Sequence, residues 1–178
     1  MIEFKKFSKI PRLSRECVIT EKIDGTNGVI YINEEEGIFL VGSRKRWITP
    51  EDDNAGFAKW AIKNKEELLK LGNGTHYGEW WGQGIQRGYN MDKKVFSLFN
   101  TYRWFDDLVR PKCCRVVPVL FQGMFDTNFI ANTLLRLKEY GSIASEGFMQ
   151  PEGIVIYHTQ GNLMFKKTIE NDESPKSN

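Results

Sequence analysis

The sequence predicts an α+β fold in which antiparallel sheets are flanked by helices, and three features of the 178-residue chain support it. Short segments rich in β-branched and aromatic residues recur along most of the chain, with turn residues between them. Two longer segments carry apolar residues at helical spacing. Apolar residues make up 40% of the chain and charged residues 27%, which is typical of a globular domain with a sizeable core.

The first strands are expected to form an antiparallel meander. Three early segments alternate or run in β-branched and aromatic residues, namely 18–23, 29–33 and 38–42. A basic cluster, Arg44 to Arg46, follows the third strand. Pairing in chain order would bring this cluster near Lys22 at the end of the first strand, where Arg44 could reach a substrate phosphate. A solvated strand end explains the cluster equally well.

Two amphipathic helices are also predicted. A capping threonine followed by proline and acidic residues starts the first helix at Thr49–Asp52, and Gly72 ends it. The second spans Thr127–Tyr140 and ends at Gly141. Pro118 argues for an edge or irregular position in the strand 116–123. The other predicted elements are strands at 75–82, 94–100, 154–157 and 163–168 and a short helix at 102–109.

Composition excludes several classes of protein. The three cysteines, Cys17, Cys113 and Cys114, form neither a disulfide framework nor a C-x-x-C metal motif, so a reducing compartment is expected. No apolar signal segment or membrane-length run is present, which predicts a soluble, cytoplasmic protein without membrane contacts.

Charge allows nucleic-acid binding only through a local patch. The net charge is +2, from 25 basic and 23 acidic residues. The run from Lys5 to Arg15 contains five basic residues and no acid, so it is a candidate phosphate-facing arm. A solvated basic arm is an equally good interpretation.

The segment Lys22-Ile23-Asp24-Gly25 is the candidate reactive centre. A lysine at a strand end beside glycines can be exposed where a ligand approaches the backbone, and a lysine amine becomes a nucleophile when its surroundings favour the neutral form. The motif K-x-D-G is short, and such motifs also occur by accident.

Two acidic residues and a lysine pair extend this pattern. Glu79 lies between glycine and large aromatic residues, and Glu152 precedes Gly153 at the start of a buried strand. Buried carboxylates need a partner such as a lysine, a metal or ligand hydroxyls. Lys166 and Lys167 lie on the last strand. The glycine-rich segment 82–89 matches neither the dinucleotide fingerprint nor the P-loop, so both are excluded.

Taken in order, these motifs resemble the covalent nucleotidyltransferase superfamily of ATP-dependent ligases and mRNA capping enzymes. Three strings are most similar to the RNA ligase family, particularly its small phage-type and bacterial members: ITEKIDGTN at 19–27, YGEWWG at 77–82 and EGIVIY at 152–157. The resemblance covers about residues 8–172. It implies a ligase-type fold with an ATP cleft between the sheets.

The resemblance also implies roles for individual residues. Lys22 would hold AMP covalently, Glu79 would bind the ribose hydroxyls, and Glu152 would act near Mg²⁺ or Mn²⁺, mainly through water. Lys22, Glu79, Glu152 and Lys166 would be the catalytic residues. The remaining nucleotide-binding residues would be Glu21, Asn27, Arg44, Phe99 and Lys167, with Phe99 on adenine and Arg44 on ribose or the acceptor end.

Two departures from the family pattern affect this assignment. The last family motif usually spaces its lysines as K-x-K, whereas Lys166 and Lys167 are adjacent. Neighbouring strand residues point to opposite faces, so only one can face the phosphate, and the Phe-Lys-x-Thr string favours Lys166. Many relatives carry aspartate where this chain has Asn100.

The expected domain organisation is a single nucleotidyltransferase domain at 1–170 and a polar tail at 171–178, with no OB or helical C-terminal domain. The expected activity is ATP-dependent joining of RNA ends that carry a 5′-phosphate and a 3′-hydroxyl. DNA or RNA/DNA hybrid ends, and an accessory protein for substrate affinity, remain open. The alternatives are a DNA-nick ligase, a capping guanylyltransferase and a catalytically silent module that binds a nucleotide or RNA ends.

Overall fold

A computed structural model describes residues 2–173 and confirms the α+β class. Its strands are β1 (Glu16–Lys22), β2 (Thr26–Asn33), β3 (Ile38–Gly42), β4 (Trp47–Ile48), β5 (Gly74–Gly82), β6 (Lys94–Leu98), β7 (Cys114–Val116), β8 (Val119–Met124), β9 (Gly153–His158) and β10 (Leu163–Thr168). Its helices are α1 (Phe57–Lys63), α2 (Lys65–Leu68), α3 (Thr101–Trp104) and α4 (Thr127–Tyr140). Short 3₁₀ turns cover Leu69–Leu71 and Gly88–Asn90.

The strands form two sheets. One has four strands in the order β10-β9-β1-β8, and the other has six in the order β4-β3-β2-β5-β6-β7. Neighbouring strands are antiparallel except for β6 and β7. Helix α1 packs on one face of the six-stranded sheet, and α4 packs on one face of the four-stranded sheet. In each sheet, the face opposite the helix is not covered by that helix.

The predicted meander is correct for β2 and β3 but wrong for the first strand. Instead of pairing with β2, β1 lies between β8 and β9 in the other sheet. The connection after Lys22 crosses to the six-stranded sheet, where a side chain on Gly25 would lie only 2.5 Å from the Trp80 carbonyl oxygen. Periodicity predicts that a segment is a strand but does not identify its neighbours.

The first helix starts later than the sequence predicts. Thr49 accepts a hydrogen bond from the Asp52 amide within a bend, and α1 begins at Phe57. Asp53 takes the capping role, because its carboxylate accepts hydrogen bonds from the Ala58 and Lys59 amides at 2.7 and 3.1 Å. Helix α4 matches its predicted bounds, whereas the helix predicted at 102–109 is limited to α3.

Pro118 divides the predicted strand 116–123 between the two sheets. Strand β7 ends before it in the six-stranded sheet, and β8 begins after it at the edge of the four-stranded sheet. The Pro118 carbonyl accepts a hydrogen bond from the Glu21 amide at 3.0 Å, and the Val117 amide donates to the Leu98 carbonyl at 3.1 Å. The expectation of an irregular position at this proline is confirmed.

The chain ends carry little regular structure within the described range. Residues 2–12 form neither helix nor strand, and the Arg12 amide donates to the Gln160 side chain at 2.9 Å. Of the predicted tail, residues 174–178 lie outside the described residues. Asp172, inside them, accepts hydrogen bonds from the Thr168 amide and the Lys167 ammonium. None of the helices in residues 2–173 has the length and apolar character needed to cross a membrane.

Candidate active site

Lys22 and Glu152 form the centre of the candidate site. The antiparallel pairing of β1 with β9 places Lys22 opposite Gly153, directly beside Glu152. The Lys22 Nζ atom lies 2.5 Å from the Glu152 Oε2 atom, and the two side chains are 19% and 8% exposed. The Lys22 side chain is therefore largely buried and ion-paired, whereas the sequence suggests an exposed lysine at a strand end. Residues 130 positions apart meet because these strands are neighbours.

Glu79 is the second buried carboxylate of the site. It lies on β5, opposite Asn27 of β2, and is 8% exposed. Its oxygens accept hydrogen bonds from the Gly25 amide at 3.1 Å and from the Asn27 side-chain amide at 3.0 Å. Burial raises the pKa of Glu79 to about 7, although the nearby Lys22 ammonium acts in the opposite direction. Glu79 therefore connects the loop after Lys22 to the six-stranded sheet.

The raised pKa of Glu79 predicts a pH-dependent stability. Between about pH 4.5 and 7 the folded chain holds a proton on Glu79 that the unfolded chain has released, so the free energy of unfolding should fall as pH rises through this window. The full effect is about 3 kcal/mol. Glu79→Gln, which keeps the shape but does not titrate, should show a flatter profile in urea unfolding at several pH values.

The comparison between the native chain and the Glu79→Gln variant is needed because burial also raises the pKa of Glu21. Both proteins share that second contribution, so it cancels in their difference. Equal pH profiles for the two proteins would show that Glu79 is already ionised at the acidic end of the window.

The glycine-rich segment that follows β5 holds the loop containing Asp24. The Arg87 Nε atom donates to an Asp24 carboxylate oxygen at 3.0 Å, and Arg87 Nη1 donates to the Gln150 carbonyl at 3.0 Å. The Tyr89 hydroxyl accepts a hydrogen bond from the Asp24 amide at 2.9 Å. Arg87 thus links the segment after Lys22 to the segment before Glu152. Sequence reasoning missed Arg87 and Tyr89, and no motif in this segment indicates their partners.

Glu21, a predicted nucleotide-binding residue, points its side chain away from Lys22. It is 1% exposed and lies on the α4 side of the sheet with Cys17 and Ile19. Its carboxylate accepts hydrogen bonds from the Ser142 hydroxyl at 2.5 Å and from the amides of residues 143 and 144. Because consecutive strand residues face opposite sides, the Glu21 side chain lies on the face opposite Lys22, and only the Glu21 backbone is left to contact a nucleotide held at Lys22.

The register of β10 separates the two adjacent lysines. Lys166 lies opposite Val155, which in turn lies opposite Thr20, so Lys166 is on the same face as Lys22. Lys167 lies opposite Ile154 on the Glu21 face and pairs with Asp172 at 3.0 Å. This arrangement agrees with the choice of Lys166 as the residue that faces a phosphate.

Phe99 and Arg44 border the site from the six-stranded sheet. Phe99 follows β6 on the face of Ser97, which lies opposite Glu79, and it is 39% exposed. The neighbouring Asn100 caps α3 by accepting a hydrogen bond from the Arg103 amide at 3.1 Å, which is a structural use of that position. Arg44 lies in an exposed loop and lines a pocket of about 360 Å³ with Thr26, Ser43, Lys45, Arg46 and Asn54.

Comparisons with known proteins identify a matching family model and several solved structures of similar fold. A family model described as RNA ligase matches residues 15–169. A search of curated proteins found no match. Among solved structures, a variant of the Naegleria gruberi RNA ligase with ATP and Mn has a TM-score of 0.65 and 21% identity, covering 93% of this chain and 53% of that one.

Two further structures of that Naegleria gruberi enzyme are also similar. The form with PPi has a TM-score of 0.63 and 22% identity, covering 87% of this chain and 50% of that one. An apo variant has a TM-score of 0.63 and 23% identity, covering 86% and 49%. The present chain thus spans about half the length of these proteins. At this identity the likeness establishes a shared fold, and the expected ligase-type fold is confirmed.

Proposed function

Because the chain belongs to the RNA ligase family, we propose that it uses ATP to join RNA ends through a lysine-linked adenylate. The neutral Lys22 amine attacks the α-phosphorus of ATP. A nitrogen–phosphorus bond forms, the bond to the β-phosphate oxygen breaks, and pyrophosphate leaves. The Lys22–Glu152 ion pair holds the amine in position before the reaction, and the ammonium must release its proton first.

Two further transfers complete the proposed reaction. A 5′-phosphate oxygen of RNA attacks the lysine-bound adenylate, which frees the lysine and forms a pyrophosphate-linked RNA adenylate. A 3′-hydroxyl then attacks the 5′-phosphorus, and AMP leaves as the phosphodiester forms. We place the activity in cytoplasmic RNA repair, where its substrates would be broken strands that carry a 5′-phosphate and a 3′-hydroxyl.

The residues around Lys22 suit ATP and a divalent metal. Glu79 and Asn27 offer polar groups for the ribose, and Phe99 offers an exposed ring for adenine. No group of three or more side chains that could bind a metal occurs within residues 2–173. Mg²⁺ or Mn²⁺ would therefore combine Glu152 with phosphate oxygens and water, and would stabilise charge on the leaving pyrophosphate.

The observation that carries the proposal is the meeting of Lys22, Glu79 and Glu152. A lysine paired with one buried carboxylate, beside a second carboxylate whose pKa is raised, is unusual for a purely structural site. The family match makes joining of RNA ends the activity that fits this arrangement best.

A single experiment tests the proposal. The protein is incubated with α-labelled ATP and Mg²⁺ and run on a denaturing gel, then chased with 5′-phosphorylated RNA. We expect a labelled protein band that disappears as label moves to the RNA, followed by joined RNA. Absence of the labelled band with both Mg²⁺ and Mn²⁺ would contradict the assignment.

Two further substrates separate the alternatives. Sealing of matched RNA and DNA nicks decides between an RNA ligase and a DNA-nick ligase, and labelling with GTP in place of ATP tests the capping-type alternative.

Lys166 and Lys167 provide a matched pair of variants. Lys166→Ala should slow the labelling of the protein by roughly 10- to 100-fold, because a cation on the Lys22 face is lost near the developing phosphate charge. Lys167→Ala should have a much smaller effect, since Lys167 lies on the opposite face and pairs with Asp172. Equal losses of the labelling rate would show that the strand-face assignment is wrong.

A further inference from the structure

One face of the six-stranded sheet exposes a row of large side chains beside the candidate site. Tyr31, Leu40, Trp47 and Tyr77 make up this aromatic face. The strand register places them together: Tyr31 lies opposite Leu40, Val29 lies opposite both Gly42 and Tyr77, and Gly42 lies opposite Trp47. Trp47 and Tyr77 are 53% and 57% exposed, which is unusual for side chains of this size in a sheet.

Packing on the sheet supports the Trp47 ring. A Cβ atom on Gly42 would lie 3.0 Å from the ring, so the absence of a side chain there lets the indole lie against the sheet. The ring centroids of Trp47 and Tyr31 are 6.3 Å apart. The aromatic face begins two residues from Glu79 along β5, at Tyr77, which corresponds to about 7 Å of strand. It therefore adjoins the nucleotide-binding residues and extends away from them.

Unpaired basic side chains lie next to the aromatic face. The loop 43–46 joins Gly42 to Trp47 and carries three basic residues in a row. Arg46 is ion-paired with Asp52, whereas Arg44 and Lys45 have no ion pair or hydrogen-bond partner among residues 2–173. Both line the pocket of about 360 Å³ that Thr26 also borders, close to the loop after Lys22. Free cations of this kind suit backbone phosphates.

We propose that the aromatic face and the loop 43–46 form a binding site for unpaired RNA next to the ligation site. This inference rests on the proposed function and specifies its substrate as a strand that is single-stranded where it crosses the sheet. Exposed rings on a sheet stack on unpaired bases, and adjacent cations track the backbone. Bases within a duplex already stack on each other and cannot reach such rings.

Binding of RNA to the full chain without ATP tests the site. The probes are a short 5′-phosphorylated single-stranded RNA and the same RNA within a fully paired nicked duplex, both followed by fluorescence anisotropy. Trp47→Ala should weaken single-strand binding by about 10-fold. Tyr77→Ala should act in the same direction, and Trp47→Phe should retain most of the affinity. Tyr140→Ala, at an exposed ring on α4, is the matched control and should bind normally.

Tryptophan fluorescence gives an independent measurement. Of the five tryptophans, Trp80, Trp81 and Trp104 are at most 4% exposed and Trp60 is partly buried against Phe57 and Trp80, whereas Trp47 is 53% exposed. Quenching by single-stranded RNA should therefore come mainly from Trp47 and be lost in the Trp47→Phe variant. Equal affinity of Trp47→Ala and the native chain for single-stranded RNA would overturn the proposal. The proposal would also be overturned if Trp47→Ala lost as much affinity for the nicked duplex as for single-stranded RNA. The same holds if the substitution changed only the self-association of the chain in size-exclusion chromatography.

Failure of this inference can be distinguished from failure of the proposed function. Trp47→Ala should form the lysine-linked adenylate at the native rate, because Trp47 lies outside the residues assigned to ATP. Suppose that the native chain forms no adenylate, but that Trp47→Ala binds single-stranded RNA more weakly than the native chain. The RNA site then stands and the proposed reaction does not. If adenylate forms normally and RNA affinity is insensitive to Trp47, the reverse holds.

Discussion

Replacing Lys22 by arginine should abolish covalent attachment of AMP while leaving the fold intact. The guanidinium retains a positive charge beside Glu152, at the position where Lys22 Nζ lies 2.5 Å from the carboxylate. Arginine does not lose its proton in proteins and so cannot act as the nucleophile. Mass spectrometry after treatment with ATP and Mg²⁺ should show one added adenylate on the native protein and none on the Lys22→Arg variant.

A second substitution separates chemistry from stability. Lys22→Ala should also block attachment, but it leaves the buried Glu152 carboxylate without its ammonium partner and should reduce the free energy of unfolding by about 1–3 kcal/mol. Lys138→Arg, on the last turn of α4, is a control that should label normally. An adenylate found on either Lys22 variant would mean that another residue is the nucleophile.

Glu152→Gln should lower the rate of adenylate formation by at least about 100-fold. The substitution preserves the shape of the side chain but removes the charge that holds Lys22 and that would face the metal. The rate should be measured over a range of Mg²⁺ and Mn²⁺ concentrations, because loss of a carboxylate near the metal should raise the concentration needed for half the maximal rate.

The metal titration distinguishes two roles of Glu152. If Glu152 only positions Lys22, the maximal rate should fall without a change in the metal requirement. Glu146→Gln alters an exposed glutamate outside the site and should behave like the native chain. An unchanged rate in the Glu152→Gln variant would exclude Glu152 from the reaction.

Local sequence patterns predicted many of the elements but not their neighbours. The bounds of α4 and β3 agree with prediction, because capping residues, glycines and periodicity act over a few positions. The start of α1 was misplaced because Thr49 and Asp53 both have capping chemistry, and only packing of Phe57 against the sheet selects Asp53. The partner of β1 depended on residues more than one hundred positions away.

The sequence by itself determined the family, since the family match covers residues 15–169, and it supplied the motifs of Lys22, Glu79 and Glu152 on which the proposed chemistry rests, without any distance. Tertiary structure decided which of these groups meet. It turned Glu21 toward Ser142, placed Lys166 rather than Lys167 on the face of Lys22, and brought Arg87 between Asp24 and Gln150. The reason is physical, since the face of a strand residue depends on register with strands that lie far away in the chain.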